Sequence, residues 1–293
     1  MTAGPVRPRR SALYMPASNA RAVEKARTLP CDVVILDLED AVAPEMKPQA
    51  REAAVAAVRA GGFGRREVAI RVNGLSTPWG ADDLAAAAAA GPDAVLAPKI
   101  SGPADVAAYG VALAGAPAPT RLWAMIETCA AMFELKAIAA AAASTRLGAF
   151  VMGLNDLAKE MRARQTPDRA CFVPFMAMAV AAARAHGLVV LDGVHNEIDD
   201  LALLETSSRQ AADMGFDGRS LIHPTHLDIC NRAFAPPAEE VAWAGAVVAA
   251  FADPANAGRG ALRVEGRLAE RLHLAEAERL LALAAAIESA EAA

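Results

Sequence analysis

Aromatic side chains are scarce, at 4% of the chain, and alanine supplies most of its apolar mass. Positive charge is not in excess either. The formal net charge is −5, so electrostatics give no reason to expect nucleic acid or an anionic membrane as partner. The four cysteines, Cys31, Cys129, Cys171 and Cys230, lie far apart and form no CxxC pair. That pattern suits free thiols in a reducing cytoplasm. Long apolar runs are missing. The alanine-rich stretches at 85–90 and 137–143 are too short and too weakly apolar to span a bilayer. The N-terminus MTAGPVRPRR is basic, but no apolar signal core follows it, and a cytoplasmic protein is expected. No GxSxG elbow supports a serine nucleophile, and no histidine pair has HExxH spacing.

What is present is a soluble composition, 55% hydrophobic and 22% charged over 293 residues. That length allows one large domain or two small ones. The stretch Leu122 to Thr128, LWAMIET, reads as a buried strand ending in a carboxylate, Glu127. Two other strand-like runs end alike, VVILDLED in Asp37, Glu39 and Asp40, and RLGAFVMGLND in Asp156. A charge at the end of a buried strand is costly unless it is paired or metal-bound. Any one of these carboxylates could simply cap the next helix. Several together match the active-site end of a parallel α/β barrel.

Eight apolar runs can be marked, Ala12–Met15, Val33–Leu38, Val68–Val72, Ala94–Ala97, Leu122–Ile126, Gly148–Met152, Leu188–Leu191 and Arg219–Ile222. Helix-like stretches separate them. Ala20–Leu29 follows the cap residues Ser18 and Asn19, and Lys47–Ala60 stops at Gly61-Gly62. This alternation predicts a (β/α)8 TIM barrel over residues 1–235, with a C-terminal helical extension or lid over 236–293. A doubly wound open sheet is weakened by the lack of a Gly-rich dinucleotide fingerprint after the first strand. The extension reads as two helices, Ala238–Phe251 and Arg267–Ala286.

Strand parity puts Asp37 and Glu39 on one face. Arg71 ends the third run and Lys99 the fourth. Asp37, Glu39, Glu127 and Asp156 against Arg71 and Lys99 leave an excess of two negative charges, what one divalent cation would neutralise. Oxygen ligands without cysteine or clustered histidine suit Mg2+ or Mn2+ over zinc. Glu127 and Asp156 are the natural pair of metal ligands, with Asp37 and Glu39 holding Arg71 and Lys99 behind them. Arg71 could grip a substrate carboxylate through its fork, or be an ordinary ion-pair residue. Arg10, Arg21 and Lys25 gather near the first strand, and a basic cluster there could hold phosphates. His223 faces the active end; His186, His226 and His273 read as surface or helix residues.

The motifs RSALYMP (10–16), VVILDLEDAV (33–42), RVN (71–73), PK (98–99), MIET (125–128), GLNDLA (153–158) and IHP (222–224) resemble, in order, the citrate lyase beta subunit and malyl-CoA lyase family. That resemblance implies a Mg2+-dependent barrel that makes or breaks a carbon–carbon bond in a 3-hydroxyacyl-CoA such as malyl-CoA or citramalyl-CoA. The products would be an acyl-CoA and a 2-oxo acid. Two alternatives share the scaffold, a malyl-CoA thioesterase and a citrate-lyase-type subunit of a larger complex. The resemblance makes Glu127 and Asp156 the Mg2+ ligands and Arg71 the binder of the 2-oxo acid. Tyr14, Arg21 and Lys25 match positions that touch CoA or substrate. A C-terminal aspartate given by a neighbouring subunit is the acid–base in the malyl-CoA lyase branch; Glu270 stands at that place here. A trimer or hexamer is implied.

Overall fold

The computed structural model describes residues 6–292. In chain order the elements are β1 (Ser11–Pro16), α1 (Ala20–Ala26), β2 (Val33–Asp37), α2 (Lys47–Ala60), β3 (Glu67–Arg71), α3 (Gly80–Ala90), β4 (Ala94–Ala97) and α4 (Pro103–Ala112). Then follow β5 (Arg121–Ile126), α5 (Cys129–Ala140), β6 (Leu147–Met152), α6 (Leu154–Met161), α7 (Val173–Ala185), β7 (Val189–Asp192), α8 (Leu201–Asp213), β8 (Gly218–Leu221) and α9 (Leu227–Ala233). The chain ends with α10 (Ala238–Ala252), β9 (Ala261–Val264), β10 (Arg267–Glu270) and α11 (Arg271–Ala292).

Strands β1 to β8 pair in sequence order, all parallel, and β8 returns to β1 to close an eight-stranded barrel. This is the (β/α)8 fold expected from the alternation. Because strand side chains alternate, each strand feeds two cores. Ala12, Val33, Ile35, Ala69, Leu96, Trp123, Met125, Ala149, Val151 and Leu191 fill the inside of the barrel. Leu13, Val34, Leu36, Ile70, Val95, Ala124, Phe150 and Val190 face outward into a larger layer under the helices. There the abundant alanine has its use. Ala50, Ala54 and Ala57 of α2, spaced at three and four, are buried and let the helix lie close to the strands. Fully burying a side chain the size of Ile35 or Phe150 contributes roughly 1.5–3 kcal/mol.

The chain forms two compact units, Arg9–Phe234 and a second made of residues from Ala235 onward with the segment up to Pro8. In the second unit α10 packs on α11. Its core is Ala244, Val247, Leu262, Val264, Ala269 and Ala277. Here the structure corrects the sequence reading. The stretch 267–270 was expected to begin a helix, but it is strand β10, antiparallel to β9. The turn is the two residues Glu265 (φ 47) and Gly266 (φ 83), both left-handed. Two successive positive φ angles define the tight hairpin turn that matches strand twist. The helix starts only at Arg271, and Glu270 precedes it. No helix among the described residues is long and apolar enough to cross a membrane.

Candidate active site

The side chains that matter come from the carboxyl ends of β2 to β6. Parity fixes their direction. Asp37 continues the inward series Val33 and Ile35; Arg71 follows inward Ala69; Glu127 follows inward Trp123 and Met125. All three therefore turn into the barrel mouth.

Arg71 and Asp37 form a two-pronged ion pair, Nε to Oδ1 at 2.6 Å and Nη2 to Oδ2 at 2.7 Å. Arg71 Nη1 lies 2.9 Å from Glu39 Oε2 and 3.5 Å from Asp40 Oδ2. The Tyr14 ring stacks on the guanidinium, 4.7 Å from ring centre to carbon. Burial pulls the Arg71 pKa down, but Asp37, Tyr14 and Glu39 outweigh it and raise it well above its ordinary value. Asp37 also accepts the backbone N–H groups of Glu39 and Ala41, so it shapes the loop after β2. Burial raises the Tyr14 hydroxyl far above the usual range, and its O–H points to Met125 Sδ at 3.3 Å.

Glu127, Lys99, Glu39 and Asp156 form a second group. Lys99 donates its backbone N–H to Glu127 Oε1 at 2.7 Å. Its ammonium lies 3.2 Å from Glu39 Oε1 and 3.5 Å from Asp156 Oδ2. Glu127 is 1% exposed. Burial, then Glu39, push its carboxyl up to about 8, against the opposing N–H and charge of Lys99. Burial lowers the Lys99 ammonium, but Glu39, Glu127 and Asp156 together raise it above its ordinary value. Asp156 sits in the first turn of α6, where the helix dipole favours a carboxylate, with its side chain 32% exposed.

Glu127 fits only because position 153 is glycine. A Cβ there would stand 2.2 Å from Glu127 Oε2 and 2.5 Å from its Cβ.

Among the described residues no three acidic, histidine or cysteine side chains are already drawn together tightly enough to enclose an ion. The donors nevertheless suit a hard cation. Two carboxylates flank the Lys99 ammonium, a third accepts the backbone N–H of the same residue, and the donors are all oxygen. Among the described residues the buried Oε2 of Glu39 makes no hydrogen bond, and Arg71 Nη1 lies 2.9 Å from it.

Other expectations are sorted by the geometry. Arg21 and Lys25 are exposed on α1, just beyond the carboxyl end of β1. Arg10 is not with them. It is buried and bound to Asp32, Nε to Oδ2 at 2.9 Å, at the opposite end of β1. Six strand residues at about 3.3 Å each separate it from the mouth. His226 lies in a helical turn before α9, as one half of the expectation has it, and not at the surface. It is fully buried, edge-on to His195 with ring centres 5.8 Å apart, and its Nδ1 makes no hydrogen bond among the described residues. Glu270 is exposed, and its backbone N–H donates to His273 Nδ1 at 2.9 Å as the chain enters α11. One residue escaped the sequence reading. Lys47 is buried at the start of α2, and its ammonium donates to the carbonyls of Leu38 and Glu39 and to Asn73 Oδ1. It anchors the loop that carries Glu39. A lysine at a helix start carries no signal for that role.

Known proteins share both sequence and shape with this chain. A (3S)-malyl-CoA thioesterase of Cereibacter sphaeroides is 43% identical over 280 residues, covering 96% of this chain and 96% of the relative. An L-malyl-CoA/beta-methylmalyl-CoA lyase of the same species is 32% identical over 300 residues, with 94% of each covered. The crystal structure of protein CitE from Mycobacterium tuberculosis in complex with magnesium, acetoacetate and coenzyme A superposes with a TM-score of 0.75 at 31% identity. It covers 97% of this chain and 99% of that one. The profile of one enzyme family matches residues 10–224, the span from Arg10 to the end of IHP. With its barrel, its motifs and these relatives, the chain belongs to the HpcH/HpaI aldolase/citrate lyase family.

Proposed function

We propose that this chain is a Mg2+-dependent hydrolase of a 3-hydroxyacyl-CoA thioester, malyl-CoA being the model substrate. One observation carries the cation. Glu39 and Asp156 flank the ammonium of Lys99, Glu127 accepts the backbone N–H of the same residue, and burial, then Glu39, push the Glu127 carboxyl up to about 8. The choice of reaction is supported by the thioesterase relative at 43% identity, against 32% for the lyase.

In this reading Glu127 and Asp156 hold Mg2+, as a crystallised family member holds magnesium together with coenzyme A. When bound, the ion supplies Lewis-acid polarisation of substrate oxygens. Lys99 neutralises Glu39 and gives way from Asp156, to which it is held at only 3.5 Å. Arg71 meets the substrate carboxylate along its Nη1 edge, because Asp37 already fills the other side of the fork. The exposed Asp40, 3.5 Å away, is the partner most easily displaced. Tyr14 keeps the guanidinium over its ring. Arg21 and Lys25 offer two cations at the rim to the phosphates of CoA. Water takes the acyl group, giving the free hydroxy acid and CoA thiol.

Carbon–carbon cleavage to acyl-CoA and a 2-oxo acid is the second reading. It gives Glu270 the acid–base role, supplied across a subunit boundary in a trimer or hexamer. Malyl-CoA with Mg2+ separates the two. Hydrolysis releases free thiol without glyoxylate; cleavage releases glyoxylate while the thioester survives.

A further inference from the structure

Outside the barrel wall, between β7, β8 and α8, lies a cavity of about 110 Å3 that the reaction above does not use. It has the room of several waters at about 30 Å3 each. Asp192 ends β7 and points outward, since the preceding Leu191 points in. Arg219 of β8 pairs with Asp192 across the two strands and faces the same way. Arg169 enters from the segment before α7.

These three are buried, and their charges do not balance. Arg169 Nη1 donates to Asp192 Oδ2 at 2.6 Å, Nε to Gln210 Oε1 at 2.9 Å, and Nη2 to the Ser207 carbonyl at 2.7 Å. Arg219 Nε donates to the Gly193 carbonyl at 2.8 Å, and Nη1 to the Ser207 and Ser208 hydroxyls at 2.7 and 3.1 Å. Arg219 Nη2 makes no hydrogen bond among the described residues. The carboxylate oxygen it faces, Asp192 Oδ2, is 3.6 Å away and already taken by Arg169. Two guanidinium groups thus share one carboxylate, and Arg219 is only 1% exposed.

No other group on the cavity wall corrects the imbalance. His195 supplies no negative charge; its burial and Arg219 lower its pKa. Glu197 is at the rim, its side chain 64% exposed. A buried excess of positive charge is unfavourable unless an anion joins it. Arg169 also holds a left-handed backbone, φ 55, a conformation that a non-glycine residue keeps only where its surroundings impose it.

We infer that this cavity binds a small oxyanion, a single phosphate or carboxylate group, against Arg219 and beside Arg169, entering past Thr166. The site is separate from the Glu127–Lys99 group and does not depend on which reaction the barrel mouth performs.

The test uses the full chain without metal. Binding of inorganic phosphate, and separately of acetate, is measured by calorimetry and thermal shift, with chloride at equal ionic strength as control. Saturable binding of either anion is expected. Arg219→Gln should weaken it at least tenfold. Thr166→Glu places a competing carboxylate at an exposed mouth position, where, among the described residues, the hydroxyl it replaces bonds only to the exposed Asp168, and should weaken it similarly. Phosphate alone or acetate alone binding identifies the oxyanion. No saturable binding of either anion by the parent overturns the inference. So does unchanged affinity in Thr166→Glu, even if Arg219→Gln fails to fold.

Discussion

Lys99 and Glu127 are joined through the backbone: the Lys99 N–H donates to Glu127 Oε1 at 2.7 Å. To do so Lys99 adopts a left-handed conformation, φ 52, which costs a non-glycine residue on the order of 1 kcal/mol. The same turn swings its ammonium back between Glu39 and Asp156. One strained residue therefore both aims the buried carboxylate and neutralises its neighbours. A constraint held against its own preference thus sits where the proposed function puts the working end of the barrel.

Removing either proposed metal ligand should abolish Mg2+ binding and leave the fold intact. Glu127→Gln and Asp156→Asn are each expected to weaken Mg2+ by more than about 100-fold, beyond the 10–100-fold typical of outer-shell changes. Calorimetry reads the affinity and circular dichroism the fold. Parent-like Mg2+ affinity in both variants would remove these residues as ligands.

Gly153→Ala is a subtler probe of the same site. The new methyl would overlap Glu127 Oε2 at 2.2 Å. The carboxylate must move, so Mg2+ affinity should fall, with a stability loss of about 1–3 kcal/mol from overpacking. An unchanged melting temperature and affinity would mean that Glu127 has freedom the packing denies it.

Glu127 also sets a pH dependence. In the metal-free fold its carboxyl is raised from 4.5 to about 8, so the folded chain holds a proton that the unfolded chain has lost. That contribution to stability is complete below pH 4.5 and disappears as pH rises through 8. Mg2+ must displace this proton. Its affinity should fall about tenfold per unit as pH drops below 8, levelling off above. Titrations of Mg2+ between pH 6 and 9 would show the trend; a flat profile would contradict it.

Arg71→Lys keeps one charge but cannot repeat the two-pronged bond to Asp37. Binding of the substrate acid should weaken more than binding of CoA, and the fold should lose some stability through Asp37. If both ligands bind as in the parent, Arg71 serves the fold alone.

Much of this was legible in the residues. Eight apolar runs became eight strands because a buried parallel strand must be apolar on both faces, as VVILD is. The shared face of Asp37 and Glu39 followed from a period of two, and both carboxylates meet Arg71. What escaped depends on distance in the fold. Nothing in the order of residues tells that Lys47 reaches Asn73, or that Arg10 is tied to Asp32 at the far end of β1. The hairpin at 261–270 could have been read. ALRV and RLAE flank Glu265-Gly266, a turn pair between short alternating segments, but the charged run EGRLAER resembles a helix surface. His226 reads as a surface or helix residue; it does lie in a helical turn before α9, but its burial is made by packing of distant segments.

Glu270 separates the two chemistries. If hydrolysis is the reaction, Glu270→Ala should keep thiol release within about threefold of the parent. A positioned general acid or base is worth about 10²–10⁴-fold. A loss of that size, with Mg2+ binding unchanged, would assign Glu270 the acid–base role of carbon–carbon cleavage.

The most direct measurement gives the full chain malyl-CoA, with and without Mg2+, and follows free thiol and glyoxylate in the same reaction. Mg2+-dependent thiol release, no glyoxylate, and loss of the signal in Glu127→Gln are expected. Glyoxylate appearing while the thioester persists, or thiol release indifferent to Mg2+ and to Glu127, would contradict that expectation.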